Sequence, residues 1–250
     1  MCTTCGCGHD DVHQHHPLDG HEEGHARTLD HWPPRELRTI HLKEDLLAYN
    51  KRLASATRHA LMRLQIGMFN LIGGPGAGKT ALLEATIPRL RGELPVAVLE
   101  GDQATARDTE RIRRTSCPAL QINTGPGCHL DAAMVGDALK ALSPPQASVV
   151  FVENVGNLVC PALFDVGERS KVVVVSVTEG EDKPLKYPHV FRAAELFLLT
   201  KIDLLPHVAF DVDRCIAYAR SVNPHLDVLP VSALAGDGID DWCRWVKARL

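Results

Sequence analysis

From residue 66 onward, short apolar runs recur at regular intervals and alternate with stretches whose apolar positions fall at helical spacing. The runs predict strands near 68–72, 96–100, 119–123, 148–153, 171–177, 195–200 and 226–231. The spaced stretches predict helices near 80–90, 131–142, 211–221 and 238–249. This alternation argues for an α/β fold, a mostly parallel sheet with helices on both faces. The unbroken run Val172 to Val175 suits a strand buried on both sides. Ahead of this body, Leu46, Tyr49, Leu53, Ala56, Ala60 and Leu64 recur in steps of three and four. They form one stripe of an amphipathic helix that is expected to pack on the body. Pro88 falls inside the first helix of the body and is expected to kink or end it.

Residues 1–34 have the opposite character. They hold seven of the thirteen histidines (His9, His13, His15, His16, His21, His25, His31), many acidic residues and almost no bulky apolar ones. Such a segment cannot offset its ordering entropy by burial, so a mobile tail is expected. Three parts follow: a Cys/His-rich tail over 1–34, an amphipathic helix over 35–65, and a body over 66–250.

At 250 residues and a net charge of −4, the chain lacks the basic footprint that phosphate backbones require, which argues against nucleic acid as a partner. No apolar run approaches the roughly 20 residues that span a bilayer. The start, MCTTCGCGHDD, lacks the basic and hydrophobic segments of a secretion signal, so a cytoplasmic setting is expected. In that reducing compartment the eight cysteines read as metal ligands or buried thiols rather than disulfides. Cys117, Cys215 and Cys243 read as core packing.

The run Gly73-Gly74-Pro75-Gly76-Ala77-Gly78-Lys79-Thr80 follows the strand at 68–72 and opens into a helix, which is the context of a phosphate-binding loop. Glycines let backbone N–H groups turn toward phosphates, Lys79 reaches the β/γ-phosphates, and the Thr80 hydroxyl holds Mg²⁺. Because open α/β sheets bind ligands at the carboxyl ends of their strands, polar residues that close the later strands carry the next signals. Thr200-Lys201-Ile202-Asp203 resembles the (N/T)KxD element of GTPases, where the carboxylate accepts two guanine donors that adenine lacks and the lysine stem covers the ring. Ser232-Ala233-Leu234 looks like the loop that contacts guanine O6. Asp102 stands where a switch carboxylate reaches Mg²⁺, and Glu153-Asn154-Val155-Gly156 has the form ExxG where most GTPases carry DxxG. Asp102 and Glu153 are the candidates for the metal shell and for positioning water. Their order points to GTP as the nucleotide.

Cys2, Cys5 and Cys7 place three thiols within six residues, a flexible CxxCxC that can wrap one soft cation. Thiolate and nitrogen donors suit tetrahedral Zn²⁺ or square-planar Ni²⁺, so the element alone does not name the metal. Inside the body, Cys128-His129 and Cys160 are a second candidate set. Cys160 lies seven residues past Glu153, so a moving phosphate-sensing loop would carry a metal ligand with it.

Across nearly its whole length the chain resembles the hydrogenase nickel-incorporation GTPases, the HypB family. The matching stretches include CTTCGCG, NLIGGPGAGKT, EGDQATARD, QINTGPGCHLDAAMV, FVENVGNLVCP, EDKPLKYP and TKIDLLP. The resemblance implies a P-loop NTPase of the SIMIBI type, with nickel bound at Cys2, Cys5 and Cys7. It further implies zinc or nickel at Cys128, His129 and Cys160 near a dimer interface, and a homodimer promoted by GTP. A HypA-type nickel chaperone and the [NiFe]-hydrogenase large subunit precursor are the partners it implies.

Overall fold

The computed structural model describes residues 35–102, 107–125 and 127–250, with side chains from residue 44 onward. Cys2, Cys5, Cys7 and the tail histidines lie outside the described residues.

Seven strands form one sheet: β1 (Gly67–Gly73), β2 (Val96–Asp102), β3 (Ala119–Asn123), β4 (Val149–Glu153), β5 (Ser170–Ser176), β6 (Leu196–Thr200) and β7 (Asp227–Val231). Their order is β3-β2-β4-β1-β5-β6-β7, and every pairing is parallel. The helices are α1 (Arg35–Arg63), α2 (Lys79–Leu90), α3 (Arg107–Arg114), α4 (Ala132–Leu142), α5 (Cys160–Leu163), α6 (Lys183–Lys186), α7 (Pro188–Ala193), α8 (Val212–Val222) and α9 (Ile239–Lys247). A 3₁₀ turn covers Ile202–His207.

Alternate side chains along each strand point to opposite faces, and both faces are apolar. Phe69, Leu71, Val98, Phe151, Val172, Val174 and Leu198 pack under α2, α3 and α9, joined by Leu82, Ile87, Ile112, Trp242 and Val246. On the other face, Met68, Leu99, Val150 and Val152 meet Leu61 of α1 and Val135 and Leu139 of α4. Val173, Val175, Phe197 and Leu199 meet Phe191 of α7 and Ala219 of α8. Cys117, Cys215 and Cys243 are buried among these side chains, as expected, and burial pushes their thiols up to about 11, 12 and 11. Pro230 sits on β7, an edge strand, where a missing donor is tolerated. Helix α2 runs through Pro88 and closes at Leu90, so the proline falls in the last turn.

Helix α1 does pack on the body, but not through the stripe expected from its apolar spacing. Leu46, Tyr49 and Leu64 are 55%, 54% and 46% exposed, whereas Asn50, Ala54 and Leu61 are buried. The reason is polar. Asn50 Nδ2 donates to the Asp165 carbonyl at 2.7 Å, and Asn50 Oδ1 accepts from Ala132 N, at the start of α4, at 2.8 Å. Arg58 adds an ion pair with Asp165 at 2.5 Å and a bond to the Glu168 carbonyl. Gly167 allows close approach, since a Cβ there would lie 2.8 Å from the Ala54 carbonyl. The stripe residues Tyr49, Leu53, Ala56, Ala60 and Leu64 instead line a groove of about 620 Å³ against α4.

Candidate nucleotide and metal site

Strand β1 ends at Gly73, and the chain turns through Gly76 (φ 77°) and Gly78 (φ 92°) before α2 begins at Lys79. Both angles lie in the left-handed region that glycine enters without a Cβ clash. Lys79 Nζ donates to the Gly73 carbonyl at 3.2 Å, while Thr80 Oγ1 donates to Glu153 Oε1 at 2.8 Å. Loop and sheet thus bring the base of the phosphate site and the ExxG carboxylate into contact across 73 residues of chain.

Glu153 is buried, and its Oε2 has no hydrogen-bond partner among the described residues. A desolvated carboxylate is costly, so burial pushes Glu153 up to about 7 despite the nearby Lys79. Beside it in register, across the β2–β4 pair, stands Glu100. It is also buried, accepts from Thr109 Oγ1 of α3 at 3.0 Å, and is likewise pushed to about 7, first by burial and then by Glu153 and Asp102. These groups wall a cavity of about 550 Å³ together with Asp102, Asp108, Arg111 and Lys201. Arg111 is held there by Glu84 of α2 at 2.6 Å and Asp108 at 3.1 Å. An unpaired buried carboxylate oxygen beside a threonine hydroxyl is a donor set that suits Mg²⁺.

The base-recognition candidates are tied to the phosphate loop. Lys201, at φ 59°, reaches back so that Nζ donates to the Gly76 carbonyl at 2.7 Å. Thr200 Oγ1 donates to the Ala77 carbonyl at 2.6 Å. Asp203 accepts from Ser232 Oγ at 2.5 Å, and Ser232 Oγ in turn accepts from Ala235 N at 3.0 Å. Ala233 lies next to this pair, half-buried. Gly74 is close to a further carboxylate: a Cβ there would lie 3.0 Å from Glu179 Oε2.

Cys128, His129 and Cys160 come together, with candidate ligand atoms all within 4.8 Å of one another. The two sulfurs are 2.9 Å apart, and Cys128 Sγ is 3.7 Å from His129 Nδ1. The imidazole stacks on Phe164 with ring centroids 3.8 Å apart. Burial lowers the His129 pKa below its ordinary value, outweighing the pull of Asp131, and so favours the neutral ring that can ligate. Two soft sulfurs and one neutral nitrogen suit Zn²⁺ or Ni²⁺. Cys128 also lines the phosphate cavity, so the two candidate sites share a wall.

Glu100, Asp108 and Arg111 were not singled out as site residues from the sequence. The available signal for Glu100 was a charge inside an otherwise apolar strand run, which requires a compensating environment.

A domain model described as the CobW/HypB/UreG nucleotide-binding domain matches residues 68–230. The hydrogenase maturation factor HypB of Escherichia coli K12 is 43% identical over 287 residues, covering 100% of this chain and 99% of its own length. The chain belongs to the HypB family of hydrogenase maturation factors. HypB of Azotobacter vinelandii is 54% identical over 210 residues, 84% of this chain and 69% of that protein. The crystal structure of Archaeoglobus fulgidus HypB superposes with a TM-score of 0.75 at 40% identity, covering 80% of this chain and 98% of the other. Helicobacter pylori HypB, solved in complex with nickel, also gives a TM-score of 0.75, at 31% identity over 80% of this chain and 94% of that one. Among the described residues, no helix is long and apolar enough to cross a membrane.

Proposed function

We propose that this HypB-family chain is a GTP-hydrolysing nickel metallochaperone whose metal grip changes with nucleotide state, acting in the cytoplasm to help load a [NiFe]-hydrogenase large subunit precursor. One observation carries the reading: Glu153 and Cys160 belong to one short loop, and Cys128 lines both the phosphate cavity and the metal cluster. The phosphate loop, Gly73 to Thr80, would hold the triphosphate, with Thr80, Asp102 and Glu153 around Mg²⁺ and Glu153 or Asp102 orienting water. Lys201 and Asp203 would select guanine, with Ser232 holding the Asp203 carboxylate and Ala233 beside it. Nickel is the cargo, gripped by Cys2, Cys5 and Cys7 and handled by Cys128, His129 and Cys160, where Zn²⁺ is the other candidate. Dimerisation on GTP and exchange with a HypA-type chaperone complete the proposed cycle.

The guanine assignment supports a direct test. Because Asp203 would accept two donors from guanine, Asp203→Asn should exchange preference for GTP for preference for xanthosine triphosphate. Steady-state turnover with both nucleotides measures this; an unchanged preference removes Asp203 from the base site.

A further inference from the structure

The loop between Glu153 and Cys160 contains Asn157, at the wall of the phosphate cavity, whose side chain bonds to main chain on two sides. Asn157 Nδ2 donates to the Cys128 carbonyl at 3.2 Å, and Asn157 Oδ1 accepts from Val159 N, the residue before Cys160, at 2.9 Å. One amide therefore holds the backbone beside both thiols at once. On its other side the chain is pressed against the phosphate loop. A Cβ at Gly156 would meet Pro75 Cγ at 2.9 Å, Pro75 N at 3.1 Å and Pro75 Cα at 3.2 Å. Pro75, Gly156, Asn157, the Cys128 carbonyl and the Val159 amide just before Cys160 thus form a contiguous series.

The far end of the same loop is anchored rather than free. Asn154 Nδ2 donates to Asn70 Oδ1 of β1 at 3.2 Å, and Asn154 Oδ1 accepts from Leu130 N, just past His129, at 3.4 Å. Asn154 and Asn70 are both buried. The segment carrying Cys128 and His129 is consequently bonded to the ExxG loop at two points, by Asn154 near the sheet and by Asn157 at the rim. With the Asn154 end fixed in the core, Asn157 is the side-chain tie nearest Gly156 that reaches the Cys128 segment.

We infer that Asn157 is the positioning residue that transmits nucleotide state to the metal cluster, setting the spacing of Cys128 and Cys160 through their main chains without touching the ion. The inference rests on the proposed coupling of nucleotide and metal, and deepens it to one side chain. Coupling between sites is a ratio of affinities, commonly about 5- to 150-fold in either direction.

The test uses the full chain with Cys2, Cys5 and Cys7 changed to Ala and the seven tail histidines changed to Gln, which removes the competing tail ligands. Ni²⁺ and Zn²⁺ affinities are measured with GDP and with a non-hydrolysable GTP analogue, before and after Asn157→Ala, together with the KM for GTP and the melting temperature. The expected result is a ratio between nucleotide states of at least about fivefold in the parent that falls below about twofold in the variant. A ratio that survives Asn157→Ala overturns the role of Asn157 and leaves the coupling standing. A parent ratio of one removes the coupling and this inference together. Should Asn157→Ala fail to fold, Asn157→Asp decides. It keeps the acceptor for Val159 N but loses the donor to Cys128, so loss of the ratio supports the inference and retention overturns it.

Discussion

Glu100 and Glu153 stand side by side on neighbouring strands, both buried and both pushed up to about 7 by desolvation. An acid whose folded value exceeds its unfolded one, here 4.5, stabilises the fold while it keeps its proton, and that contribution is lost as pH rises through about 7. The ligand-free protein should therefore lose melting temperature between about pH 4.5 and 7 and level off above that. His129 works in the opposite sense as pH falls below its ordinary value of 6.5, but equally in the parent and in a Glu100 variant, so the difference between their slopes belongs to the carboxylates. Glu100→Gln removes one of the two adjacent charges and should flatten the slope. Each kcal/mol of relief corresponds to roughly 2–4 °C in a domain of this size. Thermal melts of both proteins across the range measure it, and equal slopes would mean that Glu100 is solvated well enough to titrate normally.

At the level of elements, α1 shows how a hydrophobic stripe can point the wrong way. Leu61 is buried against the sheet, whereas Leu64 is 46% exposed on the groove side. Leu61→Ala should cost about 2–4 kcal/mol, with Leu64→Ala below about 1 kcal/mol. Urea unfolding of the two variants separates them, and equal costs would restore the apolar stripe as the packing face. The seven strands were legible because each is an apolar run bounded by turn residues, and their parallel pairing followed from the helices between them. Helix α3 was not, since Arg107-Asp108-Thr109-Glu110-Arg111-Ile112-Arg113-Arg114 buries only Thr109 and Ile112 and carries no apolar period. Helices α5 and α6 have four residues each and α7 has six, too short for a period to register. The candidate site divides in the same way. Its linear parts, the phosphate loop, TKID and the Cys-His pair, could be read directly, because each is local. The roles of Glu100, Asn154 and Asn157 depend on cross-strand register and on which loops touch, and linear spacing carries neither.

Taken whole, the molecule gathers its candidate chemistry at the carboxyl edge of one parallel sheet, with both apolar faces closed by helices. The tail thiols belong to a separate part of the sequence, which gives the two metal-binding proposals independent fates. Changing Cys2, Cys5 and Cys7 to Ala should remove one tightly held nickel per chain and leave GTP turnover within about twofold of the parent. Metal analysis after dialysis, run beside phosphate release, checks both halves. A turnover that falls with the nickel would show that the tail acts on the GTPase.

Surface connections in α/β proteins ordinarily accept insertions at little cost, because nothing depends on how long they are. The stretch from Glu153 to Cys160 has lost that licence: one end is fixed beside Thr80, the other beside Cys128. Its length works as a gauge block between two instruments. A residue added or removed there would throw both out of alignment together.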